Sequence, residues 1–253
     1  MAIQEFPYQL DVDSLEIFPE TISRDNYVLF HGTSEYHSND IENNGFIRGK
    51  SPFDLNAAIE LHTFLDRPDI KPFDIPNRYG QTCYSGLGGY IFGIKNDQIR
   101  ISFSHLSYGC VPFAFGNLKG GQSLNHINEA RSIIENAIQV NPKIQAELGP
   151  TILNLFAKIQ EIQNARGVVY AVKFPNSLDG LEMGTGVIHS NLAIPKGNII
   201  GKMFIPTNIN VSVITPQVIS AKHQDKLYRY PDGLAILIDK KNNPETEDDL
   251  EMK

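Results

Sequence analysis

A histidine, a glycine and a threonine at the end of an apolar run are the residues of this chain best suited to bind a ligand. The run Tyr27–Phe30 has the β-branched and aromatic composition of a buried strand, and His31, Gly32 and Thr33 follow it directly. A strand end presents its side chains at the edge of a sheet, and a glycine there lets a ligand approach the backbone. Imidazole both donates and accepts hydrogen bonds, so the segment predicts a polar ligand site. A purely structural hydrogen bond by His31 is an equally good interpretation.

Other common catalytic motifs are missing. No Gly-x-Gly-x-x-Gly follows the first strand and there is no Gly-x-x-x-x-Gly-Lys-Ser/Thr loop, so the two common nucleotide-binding folds lose support. Gly-x-Ser-x-Gly is also absent, which argues against a serine-hydrolase elbow. The seven histidines show no metal-ligand spacing, and the sequence predicts no metal site.

Three segments together resemble the ADP-ribosyltransferase superfamily, in the branch of diphtheria toxin and the poly(ADP-ribose) polymerases. Leu29–Thr33 followed by Ile41–Phe46 is similar to that branch's His-Gly pair, short helix and Gly-Phe or Gly-Leu. Gly88–Phe92 is similar to the Gly-x-Tyr-Phe of the polymerases, and Ser102–Cys110 resembles their Ser-x-x-x-Tyr-Cys segment. The segments come in the family's order, with a longer interval between the second and the third.

The resemblance implies an NAD⁺ site and a role for each matching residue. An aromatic clamp suits a flat cationic pyridinium through cation–π attraction, and backbone groups at a glycine can pair with a carboxamide where a side chain would clash. The resemblance assigns the adenosine-side ribose to His31, the nicotinamide amide to the Gly32 backbone and the Ser104 hydroxyl, the nicotinamide ring to Tyr90 and Tyr108, and a further cofactor contact to Thr33. Taken singly, each tyrosine is better interpreted as a core aromatic.

The glutamate of this branch is missing from its usual place. It normally stands shortly before an apolar-apolar-Pro sequence and stabilises the oxocarbenium-like transition state, whereas here Asn191 occupies the aligned position. An amide cannot oppose a developing positive charge, and losing such a contact costs about 10² to 10³ in rate. Three interpretations remain: His189 or Asn191 serves with a different acceptor nucleophile, Glu182 reaches the site from the preceding loop, or NAD⁺ is bound without turnover. For Glu182, an exposed loop carboxylate without a catalytic role is the simpler interpretation.

Hydrophobic periodicity predicts an α+β fold, and the resemblance specifies the split antiparallel sheet of the ADP-ribosyltransferases. Apolar residues at helical spacing predict two antiparallel helices in an insertion at about 123–166. Residues 50–89 are rich in Pro, Gly, Asp and Asn and contain one amphipathic patch near Ala57–Phe64, which indicates a long, mostly irregular loop with a functional role. Further strands are predicted at 89–92, 98–103, 168–174, 186–188, 198–205, 211–214 and 234–238.

Composition indicates a soluble, cytoplasmic protein. The 253 residues, 41% of them apolar, suit one domain over 1–239, followed by a flexible acidic tail at 240–253. A net charge of -7 without a Lys/Arg cluster disfavours nucleic acid as a partner. No segment resembles a signal peptide or a membrane span, and the two cysteines, Cys83 and Cys110, suit a reducing compartment.

The residues and the resemblance together predict a mono-ADP-ribosyltransferase that cleaves the nicotinamide–ribose bond of NAD⁺ and modifies a macromolecule, most simply a protein. His31, Tyr90 and Asn191 are the predicted catalytic residues. The alternative is a non-catalytic NAD⁺- or ADP-ribose-binding module of the same fold, which Asn191 favours, and a third is a scaffold for protein partners. Similar stand-alone chains occur among bacterial toxins, secreted effectors and phage proteins, so the resemblance also allows a place of action in the cytosol of a host cell.

Overall fold

Two β-sheets and a layer of helices make up the part of the chain that the computed structural model describes, residues 3–209 without 12–14, 26, 52, 78, 175–179 and 184–186. The strands are β1 (Gln4–Phe6), β2 (Val28–Ser34), β3 (Ile101–Phe103), β4 (Gly167–Lys173), β5 (Leu181–Met183), β6 (Ile188–Ser190) and β7 (Ile199–Ile205). The helices are α1 (Glu20–Ser23), α2 (Ser38–Asn44), α3 (Leu55–Leu65), α4 (Cys83–Lys95), α5 (Val111–Ala114), α6 (Gln122–Val140), α7 (Lys143–Glu147) and α8 (Pro150–Asn164). The α+β class is confirmed. The strands predicted at 211–214 and 234–238 and the acidic tail lie outside the described residues.

The larger sheet has the strand order β1-β7-β4-β2. β4 pairs antiparallel with both β2 and β7, and β1 pairs parallel with β7. Six of the seven residues of β4 are buried because both faces of this strand are covered. Val169 and Ala171 join one core cluster, whereas Val168, Tyr170 and Val172 join the cluster on the opposite face.

A smaller sheet, in the order β3-β6-β5, is joined to the larger one by a backbone bridge between Phe30 and Ser104. Phe30 on β2 and Ser104, just after β3, exchange both backbone hydrogen bonds, at 2.7 and 2.8 Å. Backbone groups point to alternate sides along a strand, so the N–H and C=O of Gly32 also point towards the β3 side, away from β4. A cleft therefore begins where the two sheets diverge, next to His31 and Gly32.

The helical layer is larger than the predicted insertion at 123–166. α3 and α4 share one hydrophobic core with α6, α7 and α8. The helices α3 and α4 both begin within residues 50–89, for which the sequence predicted a mostly irregular loop. The layer is built from two separate parts of the chain, and the small strand β3 lies between them.

The strand predicted at 89–92 is wrong, because these residues belong to α4. Thr82 and Ser85 form a reciprocal capping box at the start of this helix, and the buried Asp74 accepts the backbone N–H groups of Cys83 and Tyr84, each at 2.8 Å. The aromatic and β-branched residues at 90–92 favour a strand locally, but the cap eight residues upstream and the packing of the helix decide otherwise.

No helix within the described ranges is both long and apolar enough to span a bilayer.

Candidate functional site

A cavity of about 570 Å³ opens beside the divergence of the two sheets. Its walls are formed by the C-terminal half of β2, by α2 with the loop that follows, by α4, by β3 and by residues 109–121. Six of the residues singled out from the sequence line this one cavity: His31, Gly32, Thr33, Tyr90, Ser104 and His189. Tyr108 and Asn191 do not.

His31 makes a structural hydrogen bond, as one of the two interpretations predicted, and it also lines the cavity. Its Nδ1 lies 2.9 Å from the carbonyl oxygen of Ser102, and since a carbonyl only accepts, Nδ1 is the donor. Burial lowers the pKa of this imidazole, although the hydrogen bond to Ser102 opposes the shift. The ring is therefore neutral at pH 7, with Nε2 as a hydrogen-bond acceptor.

Gly32 is required by the packing of the protein itself. A Cβ at this position would lie 2.1 Å from the carbonyl oxygen of Cys110, so no other residue lets the turn 107–110 pack this closely on β2. The Cys110 thiol donates to the carbonyl of Phe30 at 3.0 Å, and burial raises its pKa to about 12 even though the backbone of Gly32 acts in the opposite direction. The sequence suggested that Gly32 lets a ligand approach the backbone. In the structure, its close neighbour is the backbone of Cys110.

Tyr90 approaches the cavity from the helical layer. The centroid of its ring lies 5.4 Å from that of Phe53, and its hydroxyl oxygen lies 3.5 Å from the Oγ of Ser51. Ser104 belongs to the sheet side, just after β3, and its hydroxyl accepts the backbone N–H of Leu106 at 3.2 Å. The cavity therefore has an aromatic ring on its helical side and a hydroxyl on its sheet side.

The prediction that Tyr108 stacks on a ligand in this cavity is wrong. Its side chain is only 2% exposed and packs in the core behind β2, next to Leu15 and Met203. The turn that carries it is held by the buried Glu16, whose carboxylate accepts the backbone N–H and the hydroxyl of Ser107, at 3.0 and 2.5 Å. Phe113 on α5, which the sequence did not single out, is an aromatic residue of the same region that does line the cavity.

The three candidates for the missing acid lie together on the small sheet. Asn191 directly follows β6, outside the cavity lining, and its amide donates to the carboxylate of Glu182. Glu182 belongs to β5, so the loop position predicted for it is wrong, and it forms an ion pair with Arg100. His189 lies opposite Glu182 in the register and lines the cavity, as Arg100 does.

Several polar residues of the cavity were missed by the sequence analysis. Lys50 forms an ion pair with Asp40 at 2.6 Å, which lowers the pKa of that carboxyl group. His37 has a pKa lowered to about 4, chiefly because it is buried and secondly because His31 is near. The spacing of His37, Asp40 and Ile41 at the start of α2 could have revealed them. Residues three and four positions apart lie on the same face of a helix.

The chemistry of the lining suits a ligand with hydroxyl groups, a carboxamide and an aromatic ring. It combines the neutral imidazole of His31, hydroxyl groups, three phenylalanines and two cations; the last five residues are Phe46, Phe103, Phe113, Lys50 and Arg100. Among the residues that the structure describes, no three or more His, Cys, Asp and Glu side chains converge as metal ligands would.

Comparison of the chain with protein-family models, with curated proteins and with solved structures gives no match.

Proposed function

We propose that this protein binds NAD⁺ in the cavity and transfers its ADP-ribose to a protein acceptor, on an ADP-ribosyltransferase-like split sheet. The observation that carries the proposal is that candidate residues from distant parts of the sequence come together in one cavity. Residues from β2, from α4 and from the end of β3, far apart in the sequence and assigned to NAD⁺ by the resemblance, line one cavity. A cavity of about 570 Å³ has the size of sites that enclose cofactor-sized ligands.

The binding mode follows from the groups available. The neutral His31 accepts a hydrogen bond from a ribose hydroxyl, and Ser104 with the backbone of Gly32 pairs with the nicotinamide carboxamide. Tyr90 lies against the cationic ring, and Phe113 takes the place proposed for Tyr108 as a second aromatic surface.

Glu182 is the acid that we assign to the reaction. It lies beside His189 in the register of the small sheet, and Arg100 and Asn191 hold its carboxylate. A carboxylate stabilises an oxocarbenium-like transition state through its negative charge, which the amide of Asn191 lacks. In this scheme Asn191 orients the acid and does not replace it.

A non-catalytic NAD⁺-binding module is the second candidate. The observation that favours it is the state of the carboxylates: Asp40, which lines the cavity, is paired with Lys50, and Glu182 lies outside the lining, paired with Arg100. A carboxylate neutralised by a partner stabilises a developing cation less well.

Calorimetry with NAD⁺, combined with a nicotinamide-release assay and labelled NAD⁺ in a lysate, tests the proposal. Binding with release and protein labelling is the result expected of a transferase. Binding without release selects the non-catalytic module. If the purified chain binds no NAD⁺, both candidates are wrong.

Three variants make this experiment specific. Replacing His31 by Ala removes a ligand hydrogen bond and is expected to weaken NAD⁺ binding by about tenfold, which is 1.4 kcal/mol. E182Q should retain binding and slow nicotinamide release by about 10² to 10³. Y108F changes a core residue outside the cavity, so it is the matched control and should bind NAD⁺ as the wild type does.

A further inference from the structure

Ser102 is an exposed hydroxyl on the cavity wall that hydrogen-bonds a histidine. It lies in the middle of β3, and its Oγ is 3.1 Å from the Nδ1 of His189, the residue directly opposite on β6. Both side chains line the cavity. A serine hydroxyl is a weak nucleophile at neutral pH, and an adjacent imidazole that takes its proton is a common means of activating it. The two residues thus have the arrangement of a nucleophile and its base.

A third polar residue, Glu182, continues this pair across the small sheet. The register pairs Ser102 with His189 and His189 with Glu182, so the three residues form one row across the small sheet. Residues directly opposite on neighbouring strands place their side chains on the same face, about 4.5–5.5 Å apart at Cβ. With its proton on Nε2, His189 presents Nδ1 as the acceptor for the Ser102 hydroxyl. Glu182 completes the row, and Arg100 and Asn191 hold its carboxylate.

Ser102 also lies next to the groups that we assign to NAD⁺. Its carbonyl accepts the Nδ1 proton of His31 at 2.9 Å, so the backbone of Ser102 is tied to the side chain that we assign to the adenosine-side ribose. Ser104 is two positions further along, on the same face of the extended chain, at a distance of roughly 7 Å. This distance is comparable with the length of a nicotinamide group, so a carboxamide bound at Ser104 leaves the ribose beside Ser102.

We propose that Ser102 is a covalent acceptor of ADP-ribose, so that the protein modifies itself once inside its own cavity; this inference rests on the proposed function. The Oγ of Ser102 forms a bond to the ribose carbon that carries nicotinamide, and the carbon–nitrogen bond breaks. The electron pair of that bond leaves with nicotinamide, which becomes neutral, and the hydroxyl proton passes to Nδ1 of His189. The product is a stable acetal that fills the cavity and prevents binding of a second NAD⁺.

Incubation of the full chain with adenine-labelled NAD⁺, followed by peptide mass spectrometry, tests this inference. The expected result is a single ADP-ribose per chain, attached to Ser102, with nicotinamide release that stops as the modification is completed. Label on another residue, or nicotinamide release with Ser102 unmodified, overturns the self-modification and leaves the proposed function standing. Absence of nicotinamide release overturns both.

Variants of Ser102 and His189 test the roles of nucleophile and base separately. Ser102→Ala should lose the label, whereas Ser132→Ala, which removes another exposed hydroxyl on α6, should keep it. His189→Gln retains a hydrogen-bonding side chain but cannot take up the proton, so attachment should slow about 100-fold. Labelling of Ser102 at the wild-type rate in the His189 variant would show that the imidazole is not the base. The peptide map of the wild type decides the matter even if a variant fails to fold.

Discussion

His31 and His37 are two imidazoles on one cavity, and burial is the main reason that the pKa of each is lowered. For His37, the positive charge that His31 would carry adds to the shift. Two neutral imidazoles give the site hydrogen-bonding groups without charge, which suits ribose hydroxyls better than a bare anion. The same burial makes the stability of the fold depend on pH.

We expect the free energy of unfolding to fall as the pH is lowered from about 6.5 to about 4. Above this pH range, His37 is unprotonated in both the folded and the unfolded state. Within it the unfolded state binds the proton and the folded state does not, so acid favours unfolding by up to about 3 kcal/mol. Urea titrations between about pH 4.5 and pH 7 measure this slope.

The variant His37→Gln is the control for this prediction. It removes the titrating group, so its unfolding free energy should change less over the same window, with the remaining slope due to His31 and other groups. The carboxyl group of Asp40, whose pKa is lowered by Lys50, contributes mainly below this window. Equal slopes in the wild type and the variant would contradict the assignment.

At the scale of elements, the turn 107–110 and α5 pack closely on two neighbouring strands of the large sheet, β2 and β4. A Cβ at Gly32 on β2 would lie 2.1 Å from the carbonyl oxygen of Cys110, and one at Gly167 on β4 would lie 1.7 Å from that of Ala114. Both contacts are with backbone atoms, so relief requires a shift of a whole element. The packing of residues 107–114 on these two strands therefore depends on one glycine in each strand.

Alanine at either glycine is expected to lower the free energy of unfolding by about 3 kcal/mol or more, because the backbone must move. Gly89 on α4 is the matched control. It is exposed, and a Cβ there would meet no atom within 4 Å. In a helix the change to Ala should raise the free energy of unfolding by about 1 kcal/mol. Chemical denaturation of the three variants measures these effects, and a destabilising Gly89→Ala would contradict the helical assignment of 89–92.

At the scale of the whole molecule, the sheets and the helical layer are joined by repeated passages of the chain. The chain enters the helical layer after α2 and again after α5, and it returns to the sheets each time. One buried cysteine lies in each part: Cys83 in the helical core and Cys110 behind β2. Burial raises the pKa of each thiol to about 12, so neither is reactive in the native state.

We expect both thiols to react with a disulfide reagent only as the protein unfolds, and at the same denaturant concentration. The shared passages of the chain couple the two parts, so we expect them to unfold as one cooperative unit. Mass spectrometry of each cysteine-containing peptide after pulse labelling measures the two transitions separately. Modification of Cys83 well before Cys110 would show that the helical layer opens independently.

Parts of this fold follow from local pattern. The β-branched run at 168–174 predicts β4, and the apolar spacing between Ile127 and Ile138 predicts α6. The site was only partly predictable. His31 and Ser104 were singled out and line the cavity, whereas Tyr108 was assigned to it and lies in the core. The direction of a side chain from an irregular turn depends on distant anchors, here the carboxylate of Glu16, which no local pattern reveals.

By itself, the amino-acid sequence determined the α+β class, several strands and helices, and a set of residues with the chemistry to hold a polar ligand. These features follow from hydrophobic periodicity and side-chain type, which act over a few neighbouring residues. Only the tertiary structure decided that Gly88–Phe92 is helical, that Glu182 lies on a strand beside His189, and which side chains share one cavity. Contacts between segments remote in the chain fix these features, and their energies outweigh the local preferences of the backbone.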